Sequence, residues 1–197
     1  MEKLYFMMNK PCGYVCKAEA DRNKTVFELL PKELQTLVKG AKRGERLHTV
    51  GRLDLDTSGL LIITNDGKFS HKITAPESGV KKVYRVTLGR EVSDEEREIY
   101  VRKVAEGVMM GADKKAGEEM SGPAKIEWEE NSCLITLTEG KFHEVKRIFR
   151  ALGNEVVGLE RLSVGELVLD KMLALGEYRA LTQQEIFRLR KRPAELR

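Results

Sequence analysis

The sequence predicts an α+β fold, in which short strands and helices alternate without a regular repeat. Two observations lead to this prediction. Short runs of β-branched and aromatic residues are separated by turn residues, and Ser or Thr repeatedly stands three positions before Glu, the spacing of a capping box. The 197 residues, 41% of them hydrophobic, are enough to bury a core. We therefore expect a single domain over residues 1–197, made of two packed subdomains.

The elements of the first half follow from local patterns. The strands are apolar runs rich in β-forming residues, at 4–8, 60–64 and 83–88. The helices are predicted by capping or first-turn residues, which are Thr25 with Glu28, Pro31, and Ser93 with Glu96 for a helix to about residue 106. Residues 39–46 form a basic loop with two glycines, and Asn65-Asp66-Gly67 indicates a turn.

In the second half, segment 110–122 is polar and contains glycines, which predicts a mobile loop with little core. Strands are expected at 124–128, 133–138, 155–159, 167–169 and 178–180. A helix over 142–152 can be terminated by Gly153, and a last helix starts at Thr182, capped by Glu185, before the basic tail 188–192.

Composition excludes several classes of protein. The formal charge of +4, from 35 Lys and Arg against 31 Asp and Glu, does not by itself establish a polyanionic partner. The start lacks a signal-peptide core and no apolar run is long enough to cross a bilayer, so a cytoplasmic location without membrane contact is expected. Cys12, Cys16 and Cys133 contain no CxxC pair, which argues against a disulfide framework or a zinc site.

The segment 54–59, Asp-Leu-Asp-Thr-Ser-Gly, allows three interpretations. A calcium-binding EF-hand loop would need a carboxylate where Asn65 stands. An aspartate-based phosphatase would need an apolar strand before Asp54, and residues 46–52 do not form one. The third interpretation begins at Gly51, which allows close backbone approach, continues with Arg52, which can reach a phosphate or stack on a base, and takes Asp54 as a single reactive carboxylate.

The third interpretation is strengthened by further stretches along the chain. They are Asn9-Lys10-Pro11, then 51–61 (GRLDLDTSGLL), 82–86 (KVYRV), 139–147 (EGKFHEVKR) and 176–179 (GEYR). In these stretches and in their order, the sequence resembles the RsuA/RluB-type pseudouridine synthase family over nearly its whole length.

The resemblance implies a pseudouridine synthase catalytic fold, with a mixed, largely antiparallel sheet, flanking helices and a central active-site cleft. It implies an isomerase that needs no cofactor and no metal, acting on one uridine of ribosomal RNA or of a ribosomal assembly intermediate. The small-subunit RNA is favoured over the large-subunit RNA. Family members commonly carry an S4 domain ahead of this region, and we expect none here. The sequence leaves the oligomeric state open.

The resemblance also implies the catalytic residues. Asp54 is the essential carboxylate, Tyr84 packs against the target base, and Lys146 is the basic partner of the aspartate. An ammonium group would keep a partly desolvated carboxylate ionised, and stacking of a base on an aromatic ring contributes about 1–3 kcal/mol. From pattern alone, Tyr84 can equally be a core aromatic and Lys146 part of a solvated helix face. Asp56 is interpreted as a local turn or capping group.

The remaining candidates are RNA contacts. Arg52 is expected to fill the space left by a flipped nucleotide. Cations near the motifs are expected to follow the RNA backbone, with affinity that falls as salt rises. These cations are Lys10, Lys42, Arg43, Lys81, Lys82, His143, Arg147 and Arg150, of which the last three share a basic face of helix 142–152 with Lys146. A non-catalytic RNA-binding or ribosome-assembly protein on the same fold and the aspartate-based phosphatase remain as alternatives.

Overall fold

The computed structural model describes residues 2–20, 22–42 and 44–190 and confirms the α+β class. The strands in these ranges are β1 (Tyr5–Lys10), β2 (Tyr14–Val15), β3 (Lys24–Thr25), β4 (His48–Thr49), β5 (Ser58–Thr64), β6 (Lys82–Leu88), β7 (Met109–Met110), β8 (Glu119–Met120), β9 (Lys125–Trp128), β10 (Cys133–Leu137), β11 (Val156–Val164), β12 (Leu167–Val168) and β13 (Tyr178–Ala180). The helices are α1 (Lys32–Lys39), α2 (Gly67–Thr74), α3 (Asp94–Glu106), α4 (Glu144–Ala151) and α5 (Gln183–Arg190), with single 3-10 turns at Val26–Leu29 and Pro76–Ser78. Within the described ranges, every helix is too short or too polar to span a bilayer.

The chain forms two compact units. The first takes the residues up to Val80 and those from Arg161 onward, and the second takes Lys81–Glu160. The boundary falls inside β11, whose last four residues belong to the first unit. That the two units make up one catalytic domain stays a prediction.

The first unit is built around β1, which lies between two antiparallel neighbours. Met7 is paired with Arg179 of β13 on one side and with Ile62 of β5 on the other. All six residues of β1 are buried, because the strand has partners at both edges and core on both faces. Leu60 and Phe69 belong to the same hydrophobic core as Met7.

Helix α2 was not predicted, because Asn65-Asp66-Gly67 was interpreted as a turn only. The Asp66 carboxylate accepts hydrogen bonds from the backbone N–H groups of Lys68 (3.1 Å) and Phe69 (3.2 Å), so this turn is also a helix N-cap. Phe69 and Ile73, four residues apart, are both buried. An Asp followed by apolar residues at helical spacing was therefore the sequence feature that indicated this helix.

The second unit contains the antiparallel strands β6, β10 and β9 in that order. Ile135 of β10 is paired with Tyr84 of β6 and with Ile126 of β9. The capping box of α3 is present, with Ser93 N donating to Glu96 Oε2 (3.2 Å) and Glu96 N to Ser93 Oγ (3.3 Å). Helix α4 buries Val145, Ile148 and Phe149, which lie on one face of the predicted helix.

The segment 110–122, predicted as a mobile loop with little core, contains strand residues at Met110 and at Glu119–Met120. Strands β7 and β8 pair there as an antiparallel hairpin, with Met109 opposite Met120. Met110 is completely buried and Ser121 nearly so. Ser121 Oγ accepts a hydrogen bond from Val108 N (2.9 Å), which closes the base of the hairpin. Most of the residues between the two strands are exposed, as expected for a loop with little core, and their mobility stays a prediction.

Candidate active site

The loop that carries Asp54 lies between β4 and β5 in the first unit. Its backbone is bonded at several points: Thr57 N donates to Asp54 O (3.2 Å), and Gly13 N donates to Leu55 O (2.7 Å). Asp54 itself is half-buried, whereas Leu55 and Asp56 are exposed. The predicted reactive carboxylate therefore stands on a constrained loop and close to solvent.

Lys10 fixes this loop from inside, and its predicted role as an RNA phosphate contact is wrong. The side chain is completely buried. Its ammonium group donates to three carbonyl oxygens, of Thr57 (2.7 Å), Asp54 (3.0 Å) and Pro11 (3.0 Å). Desolvation lowers the pKa of Lys10 against the opposing effect of nearby anionic groups. A phosphate cannot reach a cation enclosed in this way.

Gly59 ends the loop where the chain passes very close to β11. Its φ is +101°, and a Cβ built there would lie 2.3 Å from the carbonyl oxygen of Arg161. Arg161 is also buried, and its Nε donates to Leu60 O (2.8 Å). Only glycine satisfies both the left-handed backbone and the close approach.

Cys16 is a contact of this loop that the sequence analysis did not identify. Its buried Sγ accepts a hydrogen bond from the backbone N–H of Leu53 (3.4 Å), the residue before Asp54. Burial raises the pKa of the Cys16 thiol, which keeps the thiol neutral. No local pattern pointed to this role, because Leu53 is distant in sequence.

The other candidates of the first unit lie on its surface. Arg52 and Lys42 are exposed. Arg43 lies outside the described residues. Their contacts with RNA stay predictions.

The second unit carries Tyr84 on β6, where its side chain is 9% exposed. It lies on the same side of the strand as the buried Val86, as predicted for residues two positions apart on a strand. Burial at this level is compatible with a core aromatic and with a ring whose edge reaches a ligand, so the contact with a base stays a prediction.

The remaining candidates of the second unit lie on or beside α4 and at the start of β6. Lys146 is half-buried on this helix, and Arg150 is exposed, its Nη1 lying 3.9 Å from Asp113 Oδ2. Lys81 is exposed, and Lys82 Nζ donates to Glu139 O (3.2 Å).

His143 precedes α4 in an unusual conformation. Its φ is +49°, in the left-handed region, and its ring stacks on Phe142 with centroids 3.8 Å apart. Nδ1 lies 2.9 Å from Asp113 Oδ2, and this contact holds the pKa of Asp113 below its usual value. The contact with Asp113 therefore holds the His143 ring against the hairpin formed by β7 and β8.

Glu144 is a buried carboxylate that the sequence analysis did not identify. Oε2 accepts a hydrogen bond from Lys141 N (3.0 Å), while Oε1 is buried without a hydrogen-bond partner in the ranges described. Desolvation raises the pKa of Glu144. Its spacing of three residues from Lys141 was the available sequence feature, since it allows the side chain to close the first turn of α4.

Arg147 is buried, and its predicted contact with RNA phosphates is wrong. Only 1% of the residue is exposed. Its guanidinium group donates to the hairpin that joins β7 to β8, at Gly117 O (2.6 Å), Glu119 Oε1 (2.7 Å) and Gly111 O (3.0 Å). The basic face predicted for this helix is thus divided, with Arg150 outward and Arg147 committed to the interior of the unit.

The described residues contain no group of three or more His, Cys, Asp or Glu side chains that could hold a metal ion. The candidates are divided between the units: Lys10, Lys42, Arg52 and Asp54 belong to the first, and Lys81, Lys82, Tyr84, His143, Lys146, Arg147 and Arg150 to the second.

Known proteins are similar to this chain in both sequence and fold. The family model described as RNA pseudouridylate synthase matches residues 4–151. The ribosomal small subunit pseudouridine synthase A of Haemophilus influenzae is 42% identical over 189 residues, which are 95% of this chain and 74% of that protein. The protein of the same name from Escherichia coli K12 is 40% identical over 183 residues, covering 92% and 72%. A crystal structure of a pseudouridylate synthase superposes with a TM-score of 0.82 at 42% identity, over 95% of this chain and 74% of that chain.

Proposed function

The chain belongs to the RNA pseudouridine synthase family, and on that premise we propose that it isomerises one uridine of small-subunit ribosomal RNA, with Asp54 as the catalytic carboxylate. Relatives with about 40% identity over most of the chain carry this substrate class in their names. Ribosomal RNA, free or in an assembly intermediate, is therefore the proposed partner, and the cytoplasm is the proposed location.

The reaction moves one bond and one proton. The bond between N1 of the base and C1′ of the ribose breaks, the base turns, and C5 bonds to C1′. C5 loses its proton and N1 gains one, so the product is an isomer of the substrate. Asp54 can act by covalent addition to the sugar or to the ring, or as a base that removes a sugar proton in a glycal route. Each route needs one carboxylate held close to the ribose.

The observation that carries the proposal is the support of the Asp54 loop. The Lys10 ammonium binds the carbonyl of Asp54 itself and that of Thr57, so the main chain on either side of the carboxylate has little freedom. A reactive group held in one position saves the entropy of placing it in the transition state.

Tyr84 and Lys146 complete the proposed catalytic set. The support for them is the family resemblance, in which the tyrosine of Lys-Val-Tyr-Arg-Val packs on the base and the lysine of His-Glu-Val-Lys-Arg pairs with the aspartate. The stretch that follows Lys82 in β6 holds Tyr84 on a rigid strand, and α4 holds Lys146. Rigid elements suit residues that must position a base and a carboxylate.

The remaining candidate cations supply the proposed contacts with RNA. Arg52 stands two residues before Asp54 and is proposed to take the place of the extruded base. Lys42, Arg43, Lys81, Lys82, His143 and Arg150 are proposed to contact the phosphate backbone. Lys10 and Arg147 are no longer in this set, because both are buried.

The test is to map pseudouridine by carbodiimide modification in small-subunit ribosomal RNA from a deletion strain. The RNA is incubated with the wild-type protein, with Asp54→Asn, or with Asp56→Asn as the matched control two residues away. We expect one new site with the wild type and with Asp56→Asn. With Asp54→Asn the rate should fall at least about 10³-fold, because the reactive carboxylate is gone.

Either of two results would reject the proposal. Equal conversion by Asp54→Asn and wild type would remove Asp54 from the chemistry. No conversion by any protein, with RNA binding retained, would favour a non-catalytic RNA-binding or assembly protein. An activity that depends on magnesium and releases phosphate would instead support the phosphatase interpretation.

A further inference from the structure

A basic cavity lies in the first unit beside the N-terminus of α2. Its volume is about 830 Å³. Its charged lining residues are one carboxylate and four cations, which are Asp66, Lys3, Lys68, Lys72 and Arg190. None of these cations belongs to the stretches on which the proposed function rests.

The carboxylate of Asp66 is already committed within the protein. Oδ1 caps α2 through two backbone N–H groups, and Oδ2 accepts a hydrogen bond from Tyr5 Oη (2.7 Å). Burial alone would raise the pKa of Asp66, yet these hydrogen bonds hold it below its usual value. Asp66 therefore remains charged and offsets only part of the positive charge of the four cations.

Internal contacts place three of the cations at the cavity. Arg190 Nη2 donates to Tyr5 Oη (2.7 Å), and its guanidinium carbon lies 5.7 Å from the centre of the Tyr5 ring. Lys72 Nζ donates to the carbonyl of Arg190. Lys3 Nζ lies 3.5 Å from Asn65 O. Each of these cationic groups has more N–H donors than these contacts use, so it can also donate a hydrogen bond to a ligand.

The cations remain accessible to a ligand. Lys3, Lys68 and Lys72 are exposed, and the Arg190 side chain is 52% exposed. Gly44, in the basic loop 39–46, also lines the cavity, which brings that loop to its rim. A concave surface with excess positive charge concentrates the field and attracts an extended anion.

We propose that this cavity binds backbone phosphates of the RNA substrate, as a docking site additional to the residues that surround the target uridine. The proposal rests on the proposed function for the identity of the RNA. Long, exposed Lys and Arg side chains around an open rim suit a polyanion that lies across them, since such contacts fix position and register without reading bases. A small free anion would instead need buried donors that replace its hydration.

The test measures binding of a small-subunit ribosomal RNA transcript by fluorescence anisotropy over a series of salt concentrations. The Asp54→Asn protein is used as the parent, so that turnover does not change the RNA. In Lys68→Gln/Lys72→Gln we expect Kd to rise about tenfold and the slope of log affinity against log salt to fall by about one to two, because each lost phosphate contact removes about 0.7 to 0.9.

The matched control is Lys32→Gln/Lys103→Gln, which removes two exposed lysines that do not line the cavity. It should change Kd less than twofold. If the double variant at the cavity does not fold by circular dichroism, Lys68→Gln alone should reduce the slope by about one, and Lys68→Arg should restore it.

The outcomes separate the two proposals. An unchanged slope at the cavity, or equal losses in the cavity and control pairs, would overturn the docking site. Inorganic phosphate that binds the parent but not the cavity variant, with RNA affinity unchanged, would also overturn it and indicate a small-anion site. Loss of RNA affinity at the cavity, together with no pseudouridine formation by the protein that retains Asp54, would support the docking site and reject the proposed function.

Discussion

Lys10 of the first unit and Arg147 of the second are both buried cations, but their hydrogen-bond partners differ in kind. Lys10 in the first unit donates only to backbone carbonyls, all on or beside the Asp54 loop. Arg147 in the second unit donates to carbonyls and also to the carboxylate of Glu119. A buried charge without a counter-charge is costly. We infer that Lys10 serves mainly the geometry of the site, whereas Arg147 serves mainly the stability of the hairpin.

The largest expected effect on stability is that of Arg147→Met. The change leaves the Glu119 carboxylate and several hairpin carbonyls without their donor. Because the Glu119 side chain is 37% exposed, we expect a cost near the lower end of that for breaking a buried pair, about 3 kcal/mol. The free energy of unfolding, measured by urea titration, should fall by this amount.

The matched control on the same helix is Arg150→Met. The Arg150 side chain is 64% exposed, so its replacement should change the free energy of unfolding by no more than about 0.5 kcal/mol. Equal effects of the two variants would show that burial of Arg147 contributes nothing to the free energy of unfolding beyond what an exposed arginine contributes.

Lys10→Met should reduce stability less than Arg147→Met does, and should reduce activity more. Three carbonyls lose their donor, but the cost of burying an ammonium group is removed as well, so we expect a net loss of about 1–3 kcal/mol. Displacement of the Asp54 loop should lower kcat about 100-fold, with a smaller change in KM. The rate of pseudouridine formation under single-turnover conditions measures the effect on kcat. The exposed Lys17→Met variant is the control.

The pH dependence of unfolding sharpens this prediction. Desolvation lowers the pKa of Lys10 in the folded protein below its ordinary value, so between these two pKa values the unfolded chain holds a proton that the folded chain has lost. The free energy of unfolding of the wild type should therefore rise with pH in this window, relative to Lys10→Met. A difference between the two proteins that stays constant with pH would contradict the account of Lys10 as a strained buried charge.

The smallest effect is expected at Cys16, which touches the same loop through a weak acceptor. Cys16→Ala removes the partner of Leu53 N and should cost about 0.5–1.5 kcal/mol in the free energy of unfolding, while Cys16→Ser keeps an acceptor. A fall in kcat for Cys16→Ala as large as that for Lys10→Met would mean that the thiol, and not the ammonium group, controls the loop.

The sequence predicted the elements whose determinants are local. Strand β13 has the predicted bounds, and α3 starts one residue after the capping Ser93. The pairing of β7 with β8 was not predicted, because the group that orders this segment lies elsewhere in the chain. Arg147 is separated from Gly111 by 36 positions.

The same reason limits the prediction of site residues. Motifs can identify Asp54, and the proposal for it can be written from sequence alone. They cannot separate a cation in solvent from one in the interior, because the acceptors of Lys10 include Thr57, 47 positions away. A continuous buried pattern over β1 was the available indication that Lys10 is internal.

The position of β1 has a consequence for the order in which a nascent chain can acquire its partners. Strand β5 emerges from the ribosome within about sixty residues of β1, but β13 emerges only after the whole of Lys81–Glu160 has been synthesised. One edge of an apolar strand thus lacks its native neighbour for most of translation, and such edges promote aggregation. The second unit, which is continuous in sequence, has all its strand partners well before that point.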